Sequence, residues 1–172
     1  MAIPIECERR FLVTSDAWRG KARAAHRIRQ GYITSTDGVT VRVRRIGDRG
    51  FLTIKTPHQG FSRAELEYEI PCDHAEFLIA SACNRHMVEK VRHDISIDGM
   101  AWTVDEFGGL NQGLVLAEIE LDHADRKLLL PSWVGPEVTS SNQFHNSYLS
   151  RHPFSQWKGA APHTAHAARL DG

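Results

Sequence analysis

In one strand-length stretch after another, apolar residues alternate with charged ones, and the charges are sorted by sign. Side chains at i and i+2 of a strand share a face. Thr40, Arg42 and Arg44 alternate with Val39, Val41 and Val43, and Thr53 and Lys55 alternate with Leu52 and Ile54. Arg63, Glu65, Glu67 and Glu69 stand opposite Leu66, Tyr68 and Ile70. Lys90, Arg92 and Asp94 stand opposite Val91 and Ile95, and Asp105 sits with Thr103 opposite Trp102 and Val104. Glu6, Glu8 and Arg10 open the series, and Glu118 and Glu120 close it opposite Ile119 and Leu121. The pattern predicts eight strands, near 4–13, 26–35, 39–46, 50–56, 62–71, 87–98, 101–107 and 114–122. Turn signals such as Thr36-Asp37-Gly38 and Asp98-Gly99 make neighbouring strands antiparallel.

Such strands build a sheet with one apolar face and one charged face. The plain alternative is an antiparallel sheet whose charged side meets water. Against it, a solubilising surface would mix the signs, whereas here two carboxylates stand together on the first strand and two on the eighth, two arginines on the third, and Lys and Arg on the sixth. Eight strands also suffice to close a barrel. The expected fold is therefore mainly β (α+β): an eight-stranded antiparallel closed barrel, a tunnel with a charged lumen. Surface helices are expected near 16–24, 74–83, 123–130 and 142–151, the last being a C-terminal helix. At 172 residues with 41% hydrophobic content, the chain reads as one domain, 1–157, followed by a disordered tail, 158–172.

A charged lumen has a definite chemistry. Clustered carboxylates repel one another unless a cation sits between them, and oxygen-only ligands suit Mg²⁺ or Mn²⁺. Clustered arginine and lysine suit a multiply charged anion, phosphate above all. Together they describe a metal–polyphosphate complex.

Lys+Arg and Asp+Glu both total 21, so the formal net charge is zero. That argues against nucleic acid and anionic membrane as partners. No apolar run approaches the roughly 18–20 residues of a membrane span, and the N-terminus does not resemble a secretory signal. Cys7, Cys72 and Cys83 show neither a metal-ligand spacing nor a disulfide framework, so a cytoplasmic location is expected.

The segment Glu6-Cys7-Glu8-Arg9-Arg10 resembles the E-x-E-x-K signature of the CYTH superfamily, the triphosphate tunnel metalloenzymes. The resemblance continues in order through Arg29-Gln30-Gly31-Tyr32-Ile33, Val41-Arg42-Val43-Arg44, Thr53-Ile54-Lys55 and Arg63 to Ile70. It runs on through Val88-Glu89-Lys90-Val91-Arg92, Val104-Asp105-Glu106-Phe107, Glu118-Ile119-Glu120-Leu121 and Glu137-Val138-Thr139.

The resemblance implies metal-dependent hydrolysis of a triphosphate, inorganic tripolyphosphate first, to diphosphate and phosphate. By position it makes Glu6, Glu8, Asp105, Glu118 and Glu120 metal ligands. Arg10, Arg29, Arg42, Arg44, Lys55, Arg63, Lys90 and Arg92 would bind substrate, with Lys90, Glu65 and Glu67 as catalytic candidates. The expected partner is a small polyphosphate or nucleoside triphosphate, and the expected state a monomer or homodimer. A class IV-type adenylyl cyclase and a non-catalytic polyphosphate-binding module are the alternatives. Two departures stand out: Arg10 replaces the family lysine, and Asn142 and Gln143 stand where basic residues often follow Glu-Val-Thr.

Overall fold

A computed structural model describes residues 5–57, 62–83, 86–123, 126–157 and 159; the side chains of Ile5, Glu6 and Ser62 are outside the description. The strands are β1 (Ile5–Val13), β2 (Ala22–Thr36), β3 (Val39–Ile46), β4 (Arg49–Lys55) and β5 (Ser62–Ile70). After helix α1 (Cys72–Ala82) come β6 (Met87–Ile97), β7 (Met100–Phe107), β8 (Val115–Glu120) and β9 (Val134–Glu137), then the short helix α2 (Asn146–Leu149).

Every pairing is antiparallel, in the order β5-β4-β3-β2-β6-β7-β8-β1. β1 then returns to β5, Ile5 opposite Ala64 and Cys7 opposite Ser62, which closes the ring. Further along the same edge β1 leaves β5 and takes up β9, with Phe11 opposite Glu137. Two hairpins turn on Asp37-Gly38 and Asp98-Gly99, with both central residues at positive φ. That is the type I′ geometry whose twist matches the strands, and glycine takes the second position without a Cβ clash.

The apolar faces point outward and are covered in part, with Ile33, Val39 and Tyr68 left exposed. Trp18, from the 3-10 turn Asp16–Lys21, and Trp133 join Phe11, Trp102, Val104 and Ile119 on the wall formed by β1, β7 and β8. Trp102 and Trp133 meet edge to face at 5.9 Å. α1 lays Ala75 and Ile79 on Val43 and Leu52. The helix sits so close that a Cβ on Gly50 would lie 2.8 Å from the Ala75 Cβ. At one end the inward faces turn apolar: Val88, Phe107 and Leu116 lie two residues from the inward Lys90, Asp105 and Glu118. Val138, Phe144 and Leu149 of the C-terminal segment pack on them and plug that end.

The structure corrects several expectations. The predicted helix at 16–24 is a 3-10 turn, and β2 already begins at Ala22. Residues 126–130 form no helix; Leu128 reaches the core, but Leu129 is 86% exposed, so no single apolar stripe forms before Pro131. The helix expected at 142–151 breaks into the 3-10 turn Asn142–Phe144 and α2. β9 was not anticipated, because Gly135 and Pro136 break the alternation; an edge strand tolerates them. The predicted tail, 158–172, lies outside the described residues apart from Gly159. Among the described residues no helix is long and apolar enough to cross a membrane.

Candidate active site

Parity and register together assemble the interior. Across β3, β4 and β5, Arg42 pairs with Thr53 and Thr53 with Glu67, while Thr40 pairs with Lys55 and Lys55 with Glu65. Across β1 and β8, Glu8 faces Glu120 and Arg10 faces Glu118; across β6 and β7, Arg92 faces Asp105. These rows enclose a cavity of about 450 Å³. Arg10, Arg42, Arg44, Lys55, Arg63, Lys90 and Arg92 line it, with Glu8, Glu65, Glu67, Glu118 and Glu120.

One half of the wall is built on β3–β5. Lys55 Nζ stands 2.7 Å from Glu65 Oε2. Arg44 Nη2 donates to Glu67 at 2.8 Å, and the Thr53 hydroxyl donates to the same carboxylate at 2.6 Å. Arg42 Nη2 donates to Thr53 Oγ1 at 3.1 Å. Burial and the like charge of Arg42 push the Arg44 guanidinium down to about 10. The Nε atoms of Arg42 and Arg44 are buried with no hydrogen-bond partner among the described residues. A buried donor left without a partner costs free energy, and here two stand on neighbouring arginines of the cavity wall.

The other half is a relay of opposite charges. Asp105, 0% exposed, accepts Lys90 Nζ at 2.5 Å and two Arg92 nitrogens at 2.7 Å. Arg92 also donates to Glu118, which accepts Arg10 Nε at 2.9 Å, and Arg10 donates onward to Glu8. Burial works to raise Glu118, but Arg92 and Arg10 outweigh it and hold its carboxyl well below the usual range. Burial dominates at Lys90, pushing it down to about 8 despite Asp105. Asn146 Oδ1 of α2 lies 3.4 Å from the same ammonium. Burial likewise lifts the Tyr32 phenol to about 12; its hydroxyl accepts from Gln30 at 2.7 Å.

The predicted residues divide as follows. Twelve of them line the cavity. Asp105 stands behind the wall with both oxygens engaged by cations, and the Glu6 side chain lies outside the description. Arg29 is not in the cavity: Gln30 and Tyr32 take the inward parity of β2, so Arg29 points out, bonding Glu76 at 3.0 Å. Thr40 lines the cavity too, on the face it shares with Arg42 and Arg44; Tyr32, His145, Asn146 and Ser147 also line it and were not anticipated. Parity along β2 signals Tyr32. Nothing local signals Asn146, which arrives only when the C-terminal segment folds over the barrel end. Asn142 and Gln143 lie on the preceding turn and do not line the cavity.

The CYTH domain model matches residues 4–150, most of the chain and all eight barrel strands. The chain belongs to the CYTH domain family. An inorganic triphosphatase of Acetivibrio thermocellus is 40% identical over 153 residues, 89% of this chain and 97% of that protein. An inorganic triphosphatase of Nitrosomonas europaea is 35% identical over 150 residues, 84% of this chain and 96% of that one. Among solved structures, the inorganic triphosphatase NE1496 superposes with a TM-score of 0.63 at 32% identity, covering 84% of this chain and 93% of its own. A putative adenylate cyclase from Bacillus halodurans, 17% identical with a TM-score of 0.58, shares the fold over 73% of this chain and 84% of its own.

CYTH triphosphatases are metal-dependent in general. Among the described residues no three acidic, histidine or cysteine side chains converge to cage an ion by themselves. The donor set still fits a hard cation. Glu8 and Glu120 are opposed carboxylates on the cavity wall, and Mg²⁺ characteristically uses one or two carboxylates together with phosphate oxygens and water.

Proposed function

We propose that this CYTH protein hydrolyses inorganic tripolyphosphate to diphosphate and phosphate with a divalent metal, Mg²⁺ or Mn²⁺. The observation that carries the reading is the cavity itself: adjacent, part-orphaned guanidiniums on one wall and opposed carboxylates on another. Arg42, Arg44, Lys55 and Arg63 hold one end of the triphosphate, and Arg10, Lys90 and Arg92 the other. Each charge-assisted contact is worth roughly 1.5–3 kcal/mol. Because charge spreads over the phosphoryl oxygens as the bond breaks, such fixed cations stabilise the transition state more than the ground state. Glu8 and Glu120 hold the metal, which supplies a Lewis acid to the phosphate oxygens when bound.

Glu67 is tied by Arg44 and Thr53 at 2.6–3.0 Å and orients those donors. Glu65, held by Lys55 at 2.7 Å and by Arg42 only at 3.4 Å, is the carboxylate we assign to receive the proton of the attacking water. Lys90 neutralises the leaving group beside Arg92.

Incubation with metal and either tripolyphosphate or ATP tests the reading. Diphosphate and phosphate from tripolyphosphate support it. Cyclic AMP from ATP would make the protein a cyclase, and binding without product would make it a polyphosphate-binding module.

A further inference from the structure

Arg10 stands where E-x-E-x-K has lysine, and the structure shows what the fork of its guanidinium does there. Nε donates to Glu118 at 2.9 Å across the β1–β8 pair, and Nη2 donates to Glu8 two residues back on its own strand. One planar group thus spans two carboxylates. The Arg10 side chain is only 9% exposed, so water does not replace it there. Glu8 is 26% exposed and faces the cavity; Glu120, opposite it, is exposed.

We propose that Arg10 is a built-in counter-ion for the metal site, spanning Glu8 and Glu118 in the metal-free protein and displaced from Glu8 when a divalent cation enters. This rests on the reading of Glu8 as a metal-holding carboxylate. Once displaced, Nη2 faces the same cavity in which the triphosphate sits, so metal entry releases a phosphate donor. A lysine at this position is a point charge on a flexible stem; it keeps the charge but cannot hold both carboxylates in one planar fork.

The test is calorimetric titration of Mn²⁺, with no phosphate present, into wild type, Arg10→Lys and Arg10→Met, each checked for folding by its thermal transition. Arg10→Lys should bind Mn²⁺ about tenfold more tightly than wild type, the size of one lost charge-assisted hydrogen bond. Arg10→Met, with no charge at position 10, should bind at least as tightly as Arg10→Lys. In a Glu8→Gln background the Arg10→Lys gain should vanish, because the contact being competed for is gone. Wild-type affinity in Arg10→Lys alongside a gain in Arg10→Met would reveal a simple charge effect and overturn the proposal. An undiminished gain in the Glu8→Gln background would overturn it as well. Failure of the functional reading is read separately: wild type that releases no phosphate from tripolyphosphate with metal removes that reading whatever the Mn²⁺ affinities.

Discussion

At the scale of single residues, Lys90 sets a pH limit. Burial lowers its ammonium to about 8 from an ordinary 10.5. Between those values the unfolded chain holds more protons than the folded one, so stability rises with pH across that window. Anion binding runs the other way, because the folded protein loses a cavity charge as pH passes about 8. The kcat/KM for tripolyphosphate, which reports the free enzyme, should therefore fall on an alkaline limb near about pH 8. The variant Lys90→Arg should move that limb to clearly higher pH, because a guanidinium keeps its proton far longer than an ammonium. Glu120→Gln makes the complementary prediction: loss of about 100-fold or more in metal-dependent phosphate release with an unchanged fold, since Lewis-acid stabilisation is worth several kcal/mol. Circular dichroism and a phosphate assay check both halves. The inward residues of β3, β4, β5, β6 and β8 were legible because period two alone decides which way Arg42, Lys55, Glu65, Lys90 and Glu118 point. Arg29 shows the limit of a motif read without parity. Its neighbours Gln30 and Tyr32 are the inward pair, and charge alone does not say which face an arginine takes.

At the scale of elements, close approaches fix where the covers sit. Gly50→Ala would place a methyl group 2.8 Å from Ala75 and 2.9 Å from the Ile70 carbonyl. It should destabilise the protein by about 1–3 kcal/mol through overpacking, measured by urea unfolding. Leu149, 0% exposed in the plug, should cost about 2–5 kcal/mol as Leu149→Ala. That change should also weaken tripolyphosphate binding, because α2 carries Asn146, Ser147 and the preceding His145 to the cavity. The eight barrel strands and α1 were legible in the sequence because their periodicity spans seven or more residues in most cases. β9 was not: it is four residues long, and tertiary contacts rather than local preference create it. The helix expected at 142–151 was legible only in part, as the 3-10 turn Asn142–Phe144 and the four residues of α2. Over its described part, 126–130, the predicted helix at 123–130 does not form for the matching reason, since Leu129 is left exposed rather than packed.

At the scale of the whole molecule, closure of the sheet converts a charged sheet face into an interior. An anion that binds this interior binds the folded protein alone, so it should stabilise the fold by mass action. Tripolyphosphate with Mg²⁺ should raise the melting temperature more than pyrophosphate does at equal concentration, because the shorter anion reaches fewer of the cavity cations. The acid side follows from the paired carboxylates. Burial opposes the shift at both Glu118 and Glu67, yet neighbouring arginines hold them below the ordinary 4.5. Their contribution is fully present above that value and is lost as pH falls through the lowered ones. The measurement that bears most directly on the account is calorimetric titration of tripolyphosphate, with Mg²⁺ present, into wild type and into Arg42→Met/Arg44→Met. The account predicts one bound equivalent in wild type and affinity lower by at least about 100-fold in the double variant, two charge-assisted contacts being lost. Equal affinity in the two proteins would contradict it, because the anion would then be bound somewhere other than inside the barrel.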